Sequence, residues 1–230
     1  MKYFATVFLI LSTAFLAHSQ TYEIGGMIGG ANYIGDVGKT NYINPNSFAV
    51  GGLFKWNRSA RHAFRGSVMI AKIKGDDEKS SNSRRKERGY SFENTVREVS
   101  VGIEYTFWDF DVHSQKSIST PYLYTGLTYF WYDAMYKRGD DVISDYDGAS
   151  SVAIPMVLGY KANISSNAMV GFEIGARYTF TDDLDGSNPV KGLADSEGLK
   201  FGNANSDDWY VFTGITVTFA FGRRPCYCNF

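Results

Sequence analysis

The sequence contains few of the residues from which catalytic and metal centres are built. Of its 230 residues only three are histidine and two are cysteine. His18 belongs to an N-terminal apolar segment, while His62 and His113 fall in two different predicted turns, so no histidine lies beside the serine or acid that a lipid hydrolase or acyltransferase needs. The acidic pairs at 140–141, 182–183 and 207–208 lack the ligand spacing of a calcium loop. The sequence therefore predicts a protein that is not an enzyme and that has no cofactor or metal.

Two further absences narrow the class of protein. The formal net charge is −1, which gives no overall field for binding nucleic acid. After residue 20 no run reaches the roughly 20 apolar residues of a transmembrane helix. The one long apolar run, residues 3–17, follows a lysine and precedes "AHS", so we expect a secretory signal peptide over 1–19 that is cleaved after Ser19. A signal anchor is the competing interpretation, but no stop-transfer segment follows.

Aromatic residues, glycines and alternation of period two are abundant instead. Aromatics make up 16% of the chain, and there are 24 glycines. Eight segments alternate apolar with small or polar residues, near 21–33, 47–56, 62–74, 92–107, 120–132, 151–163, 168–180 and 209–221. A secreted chain without spanning helices can cross a membrane only as a closed barrel. We therefore predict an all-β fold over residues 20–222, an eight-stranded antiparallel transmembrane β-barrel.

The two faces of the predicted strands indicate which side meets lipid. In the seventh segment Val170, Phe172 and Ile174 share one face, and Glu173 and Arg177 share the other. The polar face collects glycines and charges of both signs, which suits the filled interior of a narrow barrel. The charged residues predicted to face the lumen are Arg65, Glu98, Glu104, Glu173 and Arg177. We expect them to pair and neutralise one another; an ion path is the alternative interpretation.

Loop lengths predict the orientation of the barrel. Residues 34–46, 75–91, 133–150 and 181–208 are long polar connections, whereas 57–61 and 163–167 are tight turns. Because outer-membrane barrels have long external loops and short periplasmic turns, both termini are predicted to be periplasmic. The connection at 108–119 is longer than a periplasmic turn requires. Pro155 falls inside a strand, where we expect a bulge.

One external loop carries a basic cluster. Within "DDEKSSNSRRKERGY" the residues Arg84, Arg85, Lys86 and Arg88 lie close together in sequence. They are suited to contact the phosphates of lipopolysaccharide. A solvated loop explains the same cluster equally well.

Several stretches together resemble one family. These are "YEIGGMIGGANYIGDVG", "HAFRGSVMIAKIKGDD", "YSFENTVREVSVGIEY", "TPYLYTGLTYFWYDAM" and "DWYVFTGITVTFAFGRRPCYC". In combination they resemble the PorG-like outer-membrane barrels of the Bacteroidetes type IX secretion system, which also serves gliding motility. The resemblance implies an outer-membrane component that anchors a periplasmic ring, made of a PorK/GldK-like lipoprotein and a PorN/GldN-like protein. The alternative is a small transport or surface-binding barrel similar to OmpA or OmpW.

The C-terminal tail, residues 223–230, continues beyond the last predicted strand. Pro225 prevents extension of the strand, so we expect the tail to lie in the oxidising periplasm. Its cysteines have three possible states, namely a strained internal bridge, free thiols or a disulfide to another protein, and the last is favoured. A PorK-like partner is expected to contact the tail and the 108–119 connection at Arg223, Arg224, Cys226, Tyr227, Cys228, Phe230, Asp109 and Asp111.

Overall fold

The computed structural model describes residues 21–114, 116–138, 141–144, 148–189, 197–203 and 205–222. The predicted signal peptide and the predicted tail at 223–230, with both cysteines, lie outside this range. Within it, no helix is both long and apolar enough to cross a membrane.

Eight antiparallel strands close into a barrel, as the alternation predicted. The described residues form ten strands, β1 (Thr21–Ile34), β2 (Ser47–Asn57), β3 (His62–Asp76), β4 (Ser91–Thr106), β5 (Ser119–Tyr132), β6 (Met135–Arg138), β7 (Asp141–Ser144), β8 (Ala149–Asn163), β9 (Ala168–Thr179) and β10 (Trp209–Gly222). Neighbours in sequence pair around the barrel, β5 pairs with β8, and β10 closes on β1. The remaining two, β6 and β7, form a separate hairpin. The prediction of an eight-stranded antiparallel barrel is confirmed.

Side chains alternate between the lumen and the outer surface along every barrel strand. On β9, Glu173 and Arg177 are buried inside the barrel, while Phe172 faces outward and is 49% exposed. The closing strand repeats the pattern, with Thr216 and Thr218 inside and Ile215 outside. The outer surface of the strands is therefore apolar and exposed, and the polar residues are enclosed. This is the inverse of a soluble β-sandwich.

Neighbouring strands approach closely where glycines face one another. Gly102 on β4 pairs with Gly126 on β5, and a Cβ added to Gly102 would lie 2.1 Å from the carbonyl oxygen of Thr125. Gly29 and Gly214 face each other in the same way where β1 meets β10. A side chain at these positions would push the strands apart, so the sequence enforces close contact here.

The bulge expected at Pro155 is absent. β8 pairs with β9 in continuous register through Pro155, and its register with β5 is the same on both sides of the proline. Only the contacts of Ile154 and Pro155 with β5 are missing from that ladder. A proline removes one hydrogen-bond donor, but a bulge also requires an extra residue, and neither strand has one.

The two ends of the barrel are closed differently. At the end with the long loops, the β6–β7 hairpin, a short helix α1 (Ser83–Arg88) and 3-10 turns at Asp77–Lys79 and Glu197–Leu199 lie over the mouth. Met135 of the hairpin, together with Tyr90 and Leu184 of the long loops, joins the hydrophobic core at this end of the barrel. At the end with the short turns, Phe110 and Val112 of the 107–118 connection pack against Met169 and Ala220.

Candidate functional site

The lumen contains a balanced set of buried charges. Eight ionisable Lys, Arg and Glu side chains of the strands are buried inside, four cations and four carboxylates, namely Lys55, Arg65, Lys161, Arg177, Glu23, Glu98, Glu104 and Glu173. Burying a charge is costly unless it is paired and hydrogen-bonded. Their arrangement therefore determines whether the lumen is blocked by paired side chains or could conduct ions.

In the layer nearest the short turns, one carboxylate is in contact with three cations. Glu104 Oε1 accepts hydrogen bonds from Lys55 Nζ at 2.9 Å and from Lys161 Nζ at 2.8 Å. Arg65 Nη1 lies 3.6 Å from the other oxygen of Glu104. The ammonium of Lys161 also stands 4.7 Å from the ring centre of Phe110, which closes this end of the lumen.

In the middle of the barrel a bidentate ion pair spans the lumen. Arg65 donates from Nη1 and Nη2 to the two oxygens of Glu173, at 2.8 and 3.0 Å. Tyr122 donates its hydroxyl to Glu173 at 2.8 Å. The guanidinium of Arg65 also lies over the ring of Tyr124, 4.7 Å from its centre. Charge-assisted bidentate pairs of this kind are the strongest hydrogen-bonded contacts of a protein interior.

The layer nearest the long loops repeats this arrangement of arginine, glutamate and tyrosine with different residues. Arg177 donates to Glu98 from Nη2 at 2.8 Å and from Nε at 3.3 Å. Tyr210 donates its hydroxyl to the same carboxylate at 2.6 Å. Above this layer the lumen is filled by aromatic side chains such as Phe130 and Phe212, which are fully buried. The stacked layers leave the described lumen occupied by side chains along its length.

The structure brings together all five charged residues that the sequence assigned to the lumen. Sequence analysis missed Lys55, Lys161 and Glu23. Glu23 accepts from the side chains of Asn57 and Thr218, both at 2.8 Å. Strand parity was the available signal, since Lys55 lies two residues from the buried Leu53 and therefore on the same, inward face of β2.

The 107–118 connection is held at the barrel end by alternating buried and exposed residues. Phe110 and Val112 are buried, while Asp109 and Asp111 are exposed to solvent. Arg61 of the neighbouring turn donates to Asp109 at 2.5 Å, and Asp111 accepts from the backbone N–H of His113 at 3.0 Å. These two predicted partner-binding residues thus share one exposed face. The other six, in the tail, lie outside the described residues.

An acidic cluster is enclosed beneath the long loops. The hydroxyl of Tyr33 is hydrogen-bonded to Asp185, at 2.6 Å, and to Asp208, and Leu184 N–H donates to Asp208 at 3.0 Å. Burial raises the pKa of the Asp208 carboxyl well above its ordinary value, and the charge of Asp185 raises it further. The pKa of Asp182 is raised to about 7, mainly by partial burial and in addition by the charges of Asp185 and Asp36. Among the residues that the structure describes, no group of three or more His, Cys, Asp or Glu is arranged to hold a metal ion.

The basic loop cluster divides into two roles. Arg85 donates to the carbonyls of Gly38 and Gly35, both at 2.9 Å, and Arg88 donates from Nε to Asp77 at 2.6 Å. Both arginines therefore fasten the loops to one another. Arg84 and Lys86 remain exposed on α1. Only Arg84 and Lys86 therefore fit the solvated-loop interpretation, and contact with lipopolysaccharide phosphates stays a prediction.

A cleft of about 680 Å³ opens among the long loops. Its lining mixes cations, carboxylates, amides and aromatic rings, for example Lys39, Asn44, Lys79, Phe92 and Asp133. At this end the barrel therefore has space that the packed lumen does not have.

The comparisons with known proteins place the whole chain in one family. The family described as "Domain of unknown function (DUF6089)" matches residues 1–230. No curated protein matches the chain. Among solved structures, the N-terminal β-barrel domain of Pseudomonas aeruginosa OprF is 11% identical, with a TM-score of 0.45, covering 89% of this chain and 98% of that one. A major outer membrane protein from Thermus thermophilus is 14% identical, with a TM-score of 0.44, covering 89% of this chain and 100% of that one.

Proposed function

The chain belongs to the family described as "Domain of unknown function (DUF6089)", and on this premise we propose that it is a non-enzymatic outer-membrane barrel that anchors a periplasmic protein assembly. The observation that carries the proposal is the filled lumen. Three layers of paired charges occupy the interior, and packed segments close both ends. A barrel built in this way is suited to hold a position in the membrane rather than to conduct solutes.

The outer surface supports a location in the membrane. Apolar side chains such as Ile28, Val101 and Leu158 are more than half exposed along the strands. Aromatic rings cluster at both ends of this apolar band, as in the contacts of Trp209 with Tyr178 (4.9 Å between ring centres) near the long loops. At the other end the matching aromatic residues are Tyr22, Phe54, Trp56, Phe64 and Phe221. Such paired girdles mark the two interfaces of a membrane barrel.

We assign the short-turn end to the periplasm, with both termini on that side, because long loops are external in outer-membrane barrels. At this end Asp109 and Asp111 are exposed on a segment that Phe110 and Val112 fix to the barrel; Asp109 is paired with Arg61, and Asp111 adds a further negative charge. A rigid charged face of this kind costs little entropy when it binds a partner. The partner surface it fits is basic.

The resemblance to PorG-like barrels points to the assembly. We propose that the partners are the PorK/GldK-like lipoprotein and the PorN/GldN-like ring protein of a type IX secretion system. In this proposal the same partner also contacts the tail, residues 223–230. A disulfide from Cys226 or Cys228 to the lipoprotein makes the attachment covalent.

Affinity purification of the tagged protein from detergent-solubilised outer membrane tests this proposal. We expect the ring proteins to copurify, and the double variant D109N/D111N to recover clearly less of them. The matched control is E78Q/E87Q, which removes two exposed carboxylates at the opposite end. Recovery of the barrel without ring proteins, or equal recovery with both double variants, would contradict the proposed contact.

A second candidate function is surface binding. The cleft among the long loops, about 680 Å³ in volume, is the observation that favours it. In this case the barrel presents the cleft to the exterior and needs no periplasmic partner. If the barrel purified from the outer membrane brings no periplasmic protein with it, that result would support surface binding over anchoring.

A further inference from the structure

The outward-facing cations of the barrel are concentrated on one side. Among the described residues of the eight barrel strands, Lys72, Lys74 and Arg97 are the lysines and arginines that face outward, and all three lie on β3 and β4 near the long loops. The other strand cations are enclosed in the lumen. Glu93, directly opposite Lys74 in the ladder, pairs with Lys72 at 2.5 Å. No described carboxylate lies within ion-pair distance of Arg97, so the group carries a net positive charge.

An apolar trough begins beside Arg97. The strand register places Val50, Ile70, Arg97 and Trp131 in one outward row across β2, β3, β4 and β5. A cavity of about 350 Å³ is lined by these residues together with Gly51, Val68, Met69, Glu98 and Val99. The row spans three strand spacings, about 14 Å, which is wider than one acyl chain.

A glycine adjoins this trough. Gly52 lies in the next outward row, opposite Val68. A Cβ added at Gly52 would meet nothing closer than 3.7 Å, the distance to the carbonyl oxygen of Gly25. Neither close strand packing nor a positive φ therefore requires glycine at this position. The missing side chain leaves open apolar surface below the cations.

We propose that this trough binds a phosphorylated, multiply acylated glycolipid of the outer leaflet. The acyl chains lie along Val68, Ile70 and Val99, and the phosphate is held by Arg97 with the two lysines. Charge complementarity supports this occupant, because arginine and lysine bind phosphate oxygens and a cation near the membrane surface attracts anionic lipid. The inference rests on the proposed membrane location and long-loop-out orientation, but it does not require the periplasmic partner.

Native mass spectrometry of the purified, refolded barrel tests the cations. The probes are bisphosphorylated lipid A, the same lipid after phosphatase treatment, and phosphatidylglycerol. We expect retention of bisphosphorylated lipid A, with affinity reduced about thirty-fold by K72Q/R97Q. The matched control R84Q/K86Q removes the same residue types from α1 and should bind like the unaltered protein.

Filling the trough is the second test. Gly52→Val places a side chain in the open space, and we expect it to weaken lipid A binding at least tenfold. Ala176→Val, outward on the opposite wall, is the control that should not change binding. Equal retention of the phosphate-free lipid or of phosphatidylglycerol, or equal effects of the two cation variants, would overturn the proposed site. Heat-modifiable migration on gels reports folding separately, and a barrel that fails to fold in lipid would instead refute the membrane location.

Discussion

Replacing Glu173 by glutamine should destabilise the barrel more than any surface substitution of the same kind. The two oxygens of Glu173 accept both bonds of the Arg65 guanidinium, at 2.8 and 3.0 Å, and glutamine keeps the shape but loses the charge. The remaining carboxylate near Arg65 is Glu104, 3.6 Å away and already shared with two lysines. The substitution therefore leaves a buried cation without adequate compensation, which costs about 3–5 kcal/mol.

The free energy of unfolding can be measured by urea titration in phospholipid vesicles, with tryptophan fluorescence and heat-modifiable migration as readouts. Glu93→Gln is the matched control, because its pair with Lys72 is exposed and should contribute no more than about 1 kcal/mol. The double variant R65M/E173M removes both charges and should recover most of the loss. A loss below about 1 kcal/mol for Glu173→Gln, or an equal loss for the double variant, would refute the interpretation that pairing neutralises the lumen.

Three further predictions concern the outer surface, the long loops and the tail. Ile174→Arg on the outward face of β9 should cost about 2–4 kcal/mol in vesicle unfolding, whereas Ile164→Arg in an exposed turn should cost little; equal tolerance would mean that the faces are assigned wrongly. Because the pKa of Asp182 is raised to about 7, the folded loops bind more protons than the unfolded chain between about pH 4 and 7, so loop protection should fall as pH rises through that window. Limited proteolysis should show this dependence, and Asp182→Asn should weaken it. A C226S/C228S variant should lose a reductant-sensitive crosslinked band on gels of native outer membrane, and a monomer without reductant in the unaltered protein would exclude the covalent attachment.

The strand pattern was predictable because it depends on local alternation. Every predicted barrel strand appears with boundaries shifted by no more than two residues, and the inward position of Glu98 or Arg177 follows directly from its parity. Barrel closure was also predictable, since an apolar outer face with an even strand count has no other stable arrangement in a membrane.

The partners within the lumen were less predictable because they depend on register across a closed barrel. Glu104 meets Lys55 and Lys161, which lie 49 and 57 residues away in the chain. No local pattern identifies such partners. The closure of the short-turn end was missed for a different reason: Phe110 and Val112 alternate with aspartates in a segment whose composition resembles a turn. The bulge at Pro155 was wrong because a missing donor does not itself insert a residue.

Planar-bilayer recording of the purified barrel tests most directly the proposal that the filled lumen conducts no ions. The charge layers and the packed ends predict no steady conductance above the bare membrane. They also predict that Glu173→Gln lowers the stability of the barrel without producing a conducting channel. Steady single-channel current from the folded, unaltered protein would contradict the account and favour a transport function.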